Sequence, residues 1–296
     1  MTDVASEGRL QYPALFKSAE SESAESQKLF FTVRAAELAS LTAAAALAVV
    51  PIDWAGRAGP ILTVLMLVVA LGVQVSRVGN RAERRWYDAR AAAESIKSAS
   101  WQYAVGGEAF RISDAQADAV FVERLRDALQ GLKHLNFGAA GSDCAAATES
   151  MRRVRQSSQA ERFRVYREHR VAEQVEWYKN KADWNRQRSR VFGGMTIGVE
   201  FLALVLGLLR VTGSVDVDLL GVAATAAAGL VAWSQAKNYS LLAESYAVTS
   251  HEILLVAESM NANVTEAAWA QSVHDAEAAF SREHTLWSAR RQGHQA

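Results

Sequence analysis

Residues Pro60–Ser76, PILTVLMLVVALGVQVS, hold no charged side chain and are followed at once by Arg77, Arg81, Arg84, Arg85, Arg90 and Lys97. A backbone in hydrocarbon has to satisfy its own N–H and C=O groups, so an apolar run with such a flank reads as a helix that crosses a bilayer. Three more runs have the same character, at about Ala35–Ile52, Val191–Leu209 and Val217–Trp233. A span needs roughly 20 residues, with a range of about 17–25. By that measure each run is marginal to sufficient, and the Ala-rich first and fourth are the weaker. The competing reading is a soluble bundle with buried core helices. The charge-free second run and its basic flank argue against it.

Half of the 296 residues are hydrophobic, yet mean hydropathy is close to zero. The average conceals a segregation, because residues 77–190 and 236–296 are rich in Arg, Glu, Asp, Gln and Ser. The three prolines, Pro13, Pro51 and Pro60, all lie in the first quarter of the chain. Ala, Leu, Arg and Glu dominate the rest, so long uninterrupted helices are expected. No period-2 stretch rich in Val, Ile and Thr suggests a strand. The predicted fold is all-α: four transmembrane helices as two hairpins, with long cytoplasmic helices continuing from and leading into the spans. The first 28 residues have no apolar core behind a basic start, so the first run is expected to be an uncleaved span and not a signal peptide.

The flanks set the orientation. The turns 53–59 and 210–216 carry one Arg each, while Arg77–Lys97 follows the second run and Lys179, Lys181, Arg186, Arg188 and Arg190 precede the third. The positive-inside rule places both turns outside and both termini, with the central segment, in the cytoplasm. Trp54, Trp184 and Trp233 stand at span ends, where interface anchors belong.

The two halves share a plan: a polar helix, a span starting near an acidic residue (Glu37, Glu200), a short turn, a second span and a helix running onward. Asn80 and Asn238 each precede a Glu, Glu94 and Glu252, by the same interval, with Ala89 and Ala247 also in register. A duplication follows. It divides the chain into a first hairpin unit over 1–135, a linker over 136–147 and a second hairpin unit over 148–296. Ser113-Asp114-Ala115-Gln116 predicts a capped helix start reaching about His134, Asn136–Asp143 a loop, and Thr148 the start of a long helix leading into the third span. Asn263-Val264-Thr265-Glu266 predicts the cap of a final helix through about Arg290.

Chemistry-bearing patterns are few. Lys+Arg and Asp+Glu balance at 32 each, which gives no reason to expect nucleic acid. Cys144 stands alone, so an internal disulfide and Cys-rich zinc sites are excluded. His251-Glu252 begins a zinc-protease-like motif, but Leu255 occupies the second ligand position. Phosphate-loop, dinucleotide and nucleophile-elbow motifs are absent, so no catalytic residues, metal or cofactor are expected. Gly106-Gly107 reads as a break that ends the helix from the second span.

Glu200 is the most informative residue. A carboxylate within a span costs roughly 2.5–3.5 kcal/mol on insertion scales quoted for Asp, and so faces protein or water. Gly193, Thr196, Glu200, Ala203 and Gly207 recur at helical spacing as a small, polar stripe, and the fourth run has Gly221, Thr225, Ala228 and Ala232. Small residues let helices approach closely. Three readings stay open for Glu200: a hydrogen-bonded packing residue, a pore-lining or gating carboxylate, or an interfacial group. A second set, Arg77, Arg81 and Arg84 with Gln74 at helical spacing, suits lipid headgroups or an inner vestibule. Arg152, Arg153 and Arg155 begin a longer Arg cluster that suits an anionic ligand or lipid. Its interleaved Glu149, Glu161, Glu168 and Glu173 also suit a solvated face.

Arg84-Arg85-Trp86-Tyr87-x-x-Arg90-x-x-x-Glu94 after the second span, and Leu241-x-x-x-x-Tyr246-x-x-x-x-His251-Glu252 after the fourth, each follow a hairpin. This pattern resembles the bacterial SLATT superfamily, two-transmembrane effectors associated with SMODS nucleotidyltransferases and SLOG nucleotide-sensing domains, here as a tandem over about residues 10–290. The resemblance implies a multi-pass protein of the bacterial inner membrane in anti-phage or other conflict systems. It also implies assembly as a homo-oligomer in the lipid bilayer and formation of a pore when a separate nucleotide-signal sensor or synthase acts. A non-conducting membrane scaffold for a soluble partner is the competing reading. A transporter is a third, without the inverted or discontinuous spans that would favour it.

Overall fold

The computed structural model describes residues 10–50, 56–132, 145–214, 218–262 and 264–292, with the backbone alone for 281–292. Trp54, Pro51, Cys144, the Asn136–Asp143 segment and Asn263 therefore lie outside the described residues. Every regular element among the described residues is helical. In chain order these are α1 (Ala14–Ala48), α2 (Ala58–Ser76), α3 (Val78–Val105), a 3-10 turn (Glu108–Phe110), α4 (Ala117–Gly131), α5 (Glu149–Gln156), α6 (Gln159–Tyr166), a π-helical turn (Arg167–Ala172), α7 (Glu173–Val211), α8 (Leu219–Lys237), α9 (Tyr239–Ser259) and α10 (Glu266–Gln292).

Stretches within Ala14–Ala48, Ala58–Ser76, Gln159–Val211 and Leu219–Ser259 are long and apolar enough to cross a membrane. The chain buries only 17%, 11%, 6% and 11% of their most apolar windows. Side chains such as Leu71, Val75, Ile197, Phe201 and Leu204 are more than half exposed. Apolar surface of that extent is stable in hydrocarbon or against other apolar helices, not in water.

Contacts divide the chain into two units, each assembled from both halves of the sequence. The span unit comprises Ser26–Arg84 and Asp183–Ala243. Small residues bring its helices together, for Ala44, Ala70, Ala203, Ala223 and Ala227 are buried. A Cβ on Gly229 would lie 3.7 Å from Thr42 Oγ1, and one on Gly79 would lie 3.3 Å from Val33 Cγ1. Aromatic rings collect near the span ends. Phe31 meets Trp233 edge-on at 5.9 Å with Lys237 Nζ 3.1 Å from the Phe31 centroid, and Phe192 stacks on Tyr239 at 5.4 Å. Such a belt is what a membrane interface selects.

The polar-helix unit comprises residues 10–25, Arg85–Ala182 and Glu244 to the end of the described chain. Its core packs Trp101, Tyr103, Phe110, Phe121, Met151, Tyr166, Tyr178, Ile253 and Trp269. Helix α3 ends at Val105 because Gly106 turns the chain with φ +77°, and a Cβ there would meet Arg162 Nη1 at 2.8 Å. The carbonyls freed at that end are taken by side chains. Arg162 Nη1 and Trp269 Nε1 donate to Val105 O at 2.9 and 2.8 Å, and Arg155 Nη1 donates to Tyr103 O at 2.9 Å. Cationic donors at a helix C-terminus also oppose its dipole.

Three local expectations change. The single helix expected from Thr148 is broken at Ser157, whose extended backbone ends α5, and Ser158 caps α6 by accepting from Glu161 N at 3.3 Å. A cap inside a polar stretch offers the backbone an alternative to helix continuation. Helix α4 starts at Ala117, not Ser113, because Asp114 Oδ1 accepts from Gln116 N at 2.8 Å and holds a turn first. The repeat register also shifts. Arg77 and Asn238 are the two non-glycine residues with positive φ among the described residues, both at 52°, and each separates a second span from its following helix. Aligning them pairs the buried Ala82 with Ala243, Ala89 with Ser250, Ala92 with Ile253 and Ile96 with Ala257. Asn238 thus corresponds to Arg77, three positions before Asn80.

Candidate functional site in the span unit

Arg210 at the end of α7 forms an ion pair with Asp218, which accepts from Gly221 N at 3.3 Å to cap α8. Between α7 and α8 runs an open groove of about 680 Å³. Its walls are almost wholly Ala, Leu and Val, among them Ala203, Ala227, Ala228 and Ala232. The two polar side chains lining it are Glu200 from α7 and Gln235 from α8. Glu200 is exposed in the chain and has no hydrogen-bond or ion-pair partner among the described residues.

The predicted stripe is brought together in part. Ala203 is buried against the hairpin, and Gly207 faces Leu220 of α8, whose Cδ2 would be 3.5 Å from an added Cβ. Gly193 meets nothing within 4 Å of such a Cβ, so its face is open. Thr196 and Thr225 donate within their own helices, to Phe192 O at 2.9 Å and Gly221 O at 2.8 Å. That leaves Glu200 as the group in the stripe whose polarity is not met among the described residues. Gln235 escapes a sequence reading because it lies past the end of the fourth apolar run, and only the packing of α8 on α7 aligns it with the groove.

Between the interior of α1 and the C-terminal end of α2 a smaller polar cavity of about 150 Å³ is lined by Arg34, Glu37, Gln74, Arg77 and Asn80. Glu37 is paired with Arg34 at 3.0 Å. Arg77 is exposed on the cavity's rim in its left-handed conformation. Arg81 Nη2 donates to Ser76 O at 2.9 Å and so caps α2, and Arg84 is exposed.

The predicted Arg152 set lies in the polar-helix unit. Arg152 faces Asp118 at 3.5 Å and Arg153 is exposed. Arg155 donates to the carbonyls of Tyr103, Phe110 and Arg111 at 2.9, 2.6 and 2.8 Å and lies over the Tyr103 ring, so its guanidinium is occupied. Arg170 is also inside the unit, with Nε and Nη2 on the Glu277 carboxylate at 2.8 and 2.6 Å and the Tyr166 hydroxyl donating to the same carboxylate at 2.9 Å. Burial alone would lower the Arg170 pKa, but the Glu277 carboxylate outweighs it and holds the guanidinium above its usual value.

Four apolar helices, two hairpins and an aromatic belt define a multi-pass helical membrane protein. Residues 13–163 match the family model described as SMODS and SLOG-associating 2TM effector domain 3, and residues 166–287 match SMODS and SLOG-associating 2TM effector domain 1. The chain belongs to this SLATT family as a tandem of two of its domains. No curated protein and no solved structure matches it.

Proposed function

We propose that this chain is a pore-forming effector of a bacterial conflict system, such as anti-phage defence. Several copies assemble in the inner membrane, with both termini in the cytoplasm. They open when a nucleotide signal, or a separate sensor that reads one, acts on the polar helices. The observation that carries the reading is Glu200. A carboxylate in the middle of a candidate span, on a groove of small residues and without a partner among the described residues, is costly toward lipid. Its cost falls when neighbouring copies enclose it beside water. The same small residues that line the groove are those that allow a second helix to approach. The effector-domain description of both matched segments supports the same class.

Membrane potential and viability of cells producing wild-type protein or Glu200→Gln test the reading. A conducting assembly depolarises the membrane, and the amide, which removes the charge and keeps the shape, alters ion selectivity and weakens depolarisation and killing. Equal depolarisation by both forms would remove Glu200 from the conduction path. No flux from loaded liposomes when protein, a cognate nucleotide synthase and its product are all supplied would favour the non-conducting scaffold.

A further inference from the structure

In the polar-helix unit, α3, α4, the 3-10 turn and α10 surround a cleft of about 450 Å³. Ser95, Ser98 and Gln102 line it from one face of α3, Arg124 and Asp127 from α4, and His274 from α10. Apart from Phe110 the walls between them are small, at Ala99, Ala109 and Ala128, which leaves space in a unit largely filled by aromatic side chains. The large cavities of the span unit are walled mostly by apolar side chains, chiefly Ala and Leu. This cleft differs from them in being walled mostly by polar groups.

The charges at its rim are uncommitted. Around it Arg126 pairs with Glu123, Arg111 with Glu108 and Arg152 with Asp118. Arg124, Asp127 and His274 have no hydrogen-bond or ion-pair partner among the described residues. Asp127 stands three residues after Arg124, the same interval that joins Glu123 to Arg126, yet the two side chains do not pair. Both point at the cleft, where the guanidinium and the carboxylate are available to one bound molecule.

We propose that this cleft binds a phosphorylated sugar, either free or as the ribose phosphate of a nucleotide. A guanidinium presents a planar fork of donors that fits a phosphate, and the His274 ring from the facing helix supplies a second donor. Asp127 accepts from sugar hydroxyls, while Ser95 and the Gln102 amide, whose Nε2 is braced on Ser98 Oγ at 3.2 Å, donate and accept beside it. The volume lies within the roughly 300–1,000 Å³ range of small-molecule sites. The cleft also touches the elements that continue toward both hairpins. Helix α3 follows α2 through the Arg77 joint, and His274 lies one turn before Glu277, which holds Arg170 ahead of α7. A molecule bridging α3 and α10 is therefore placed to bias them. Binding is read directly and does not depend on whether the chain conducts.

The test is calorimetric titration of the detergent-solubilised full chain with ribose 5-phosphate, adenosine monophosphate and inorganic phosphate. Saturable binding is expected for at least one of the two sugar phosphates, tighter than for inorganic phosphate. Adenosine monophosphate binding more tightly than ribose 5-phosphate identifies a nucleotide site, and the reverse a free sugar phosphate. Loss of one charge-assisted contact weakens binding about tenfold or more, expected for Arg124→Gln with all three probes. Asp127→Asn weakens the sugar phosphates and spares inorganic phosphate. The exposed control Lys179→Gln, away from the cleft lining, changes nothing. Arg124→Gln that binds like the wild type, inorganic phosphate that binds as tightly as both sugar phosphates, or no saturation by any probe at millimolar concentration overturns the site. Arg124 and Asp127 are exposed, so these variants keep the fold, which circular dichroism checks.

Discussion

Glu277 is 1% exposed, and its carboxylate receives two donors from Arg170 and one from the Tyr166 hydroxyl. The pair survives burial because every strong donor on it is aimed at an acceptor, with Arg170 Nη1 directed to Gln174 at 3.3 Å and the guanidinium lying over the Phe280 ring. Removing one partner leaves a buried charge without its counterion. Glu277→Gln is therefore expected to lower stability by about 3–5 kcal/mol, while Arg170→Met combined with Glu277→Leu recovers most of that loss. Thermal melting of the solubilised protein reads both, and a double variant as unstable as the single one would show that packing, not charge, is what the site needs. The arginines between Arg152 and Arg170 look alike in sequence. Tertiary partners give them different work: Arg155 and Arg162 cap α3, Arg164 pairs on the surface with Glu161 and Glu168, and Arg170 is a core residue. No local pattern separates these roles, because the acceptors come from distant segments. Glu200 was legible for the opposite reason, since a carboxylate in an apolar run is anomalous wherever its neighbours lie.

Among the elements, the joints after the second spans carry the most information. Helix α2 ends and α3 begins across a single residue, Arg77, with φ 52° and ψ 18° and its N–H donating to Gln74 O. Asn238 does the same between α8 and α9, over the equivalent Gln235. Asn tolerates this conformation, whereas a side chain such as Arg strains it by roughly 1–2 kcal/mol. Arg77→Asn is expected to raise stability by about 1 kcal/mol, and Arg77→Val to lower it by more than that, as melting temperatures in detergent would show. A rise for Val would mean that the joint is not held left-handed. Sequence periodicity located α2 to within two residues, since Pro60–Ser76 has no competing signal. It passed over the joint because one left-handed residue leaves the apolar pattern on both sides intact. It passed over the α5–α6 break for a related reason: Ser158 with Glu161 is a capping pair, but it sits in an Arg- and Glu-rich stretch that also suits an unbroken helix.

At the scale of the whole molecule, the apolar runs announced four spans because hydrocarbon imposes a constraint that each run meets by itself. The division of the folded chain was not visible, because it depends on which distant helices pack together. The repeat suggests two hairpin units side by side in sequence. In the polar-helix unit, however, Trp101, Phe110 and Phe121 from the first half share one core with Tyr166, Ile253 and Trp269 from the second. Arg162 and Trp269 both donate to Val105 O, so the end of α3 is completed only by the other half. A half chain would keep its spans and lose that core, exposing several large aromatic side chains worth about 1.5–3 kcal/mol each on burial. Residues 1–135 produced alone are thus expected to reach the membrane and be degraded, and co-production of 148–296 should restore them. Conversely, a specific protease site inserted between residues 132 and 145 of the intact chain should give two fragments that stay together through purification and melt as one. Independent accumulation of each half, or separation of the fragments on cleavage, would show that the two domains fold separately and that the shared core is not what holds them.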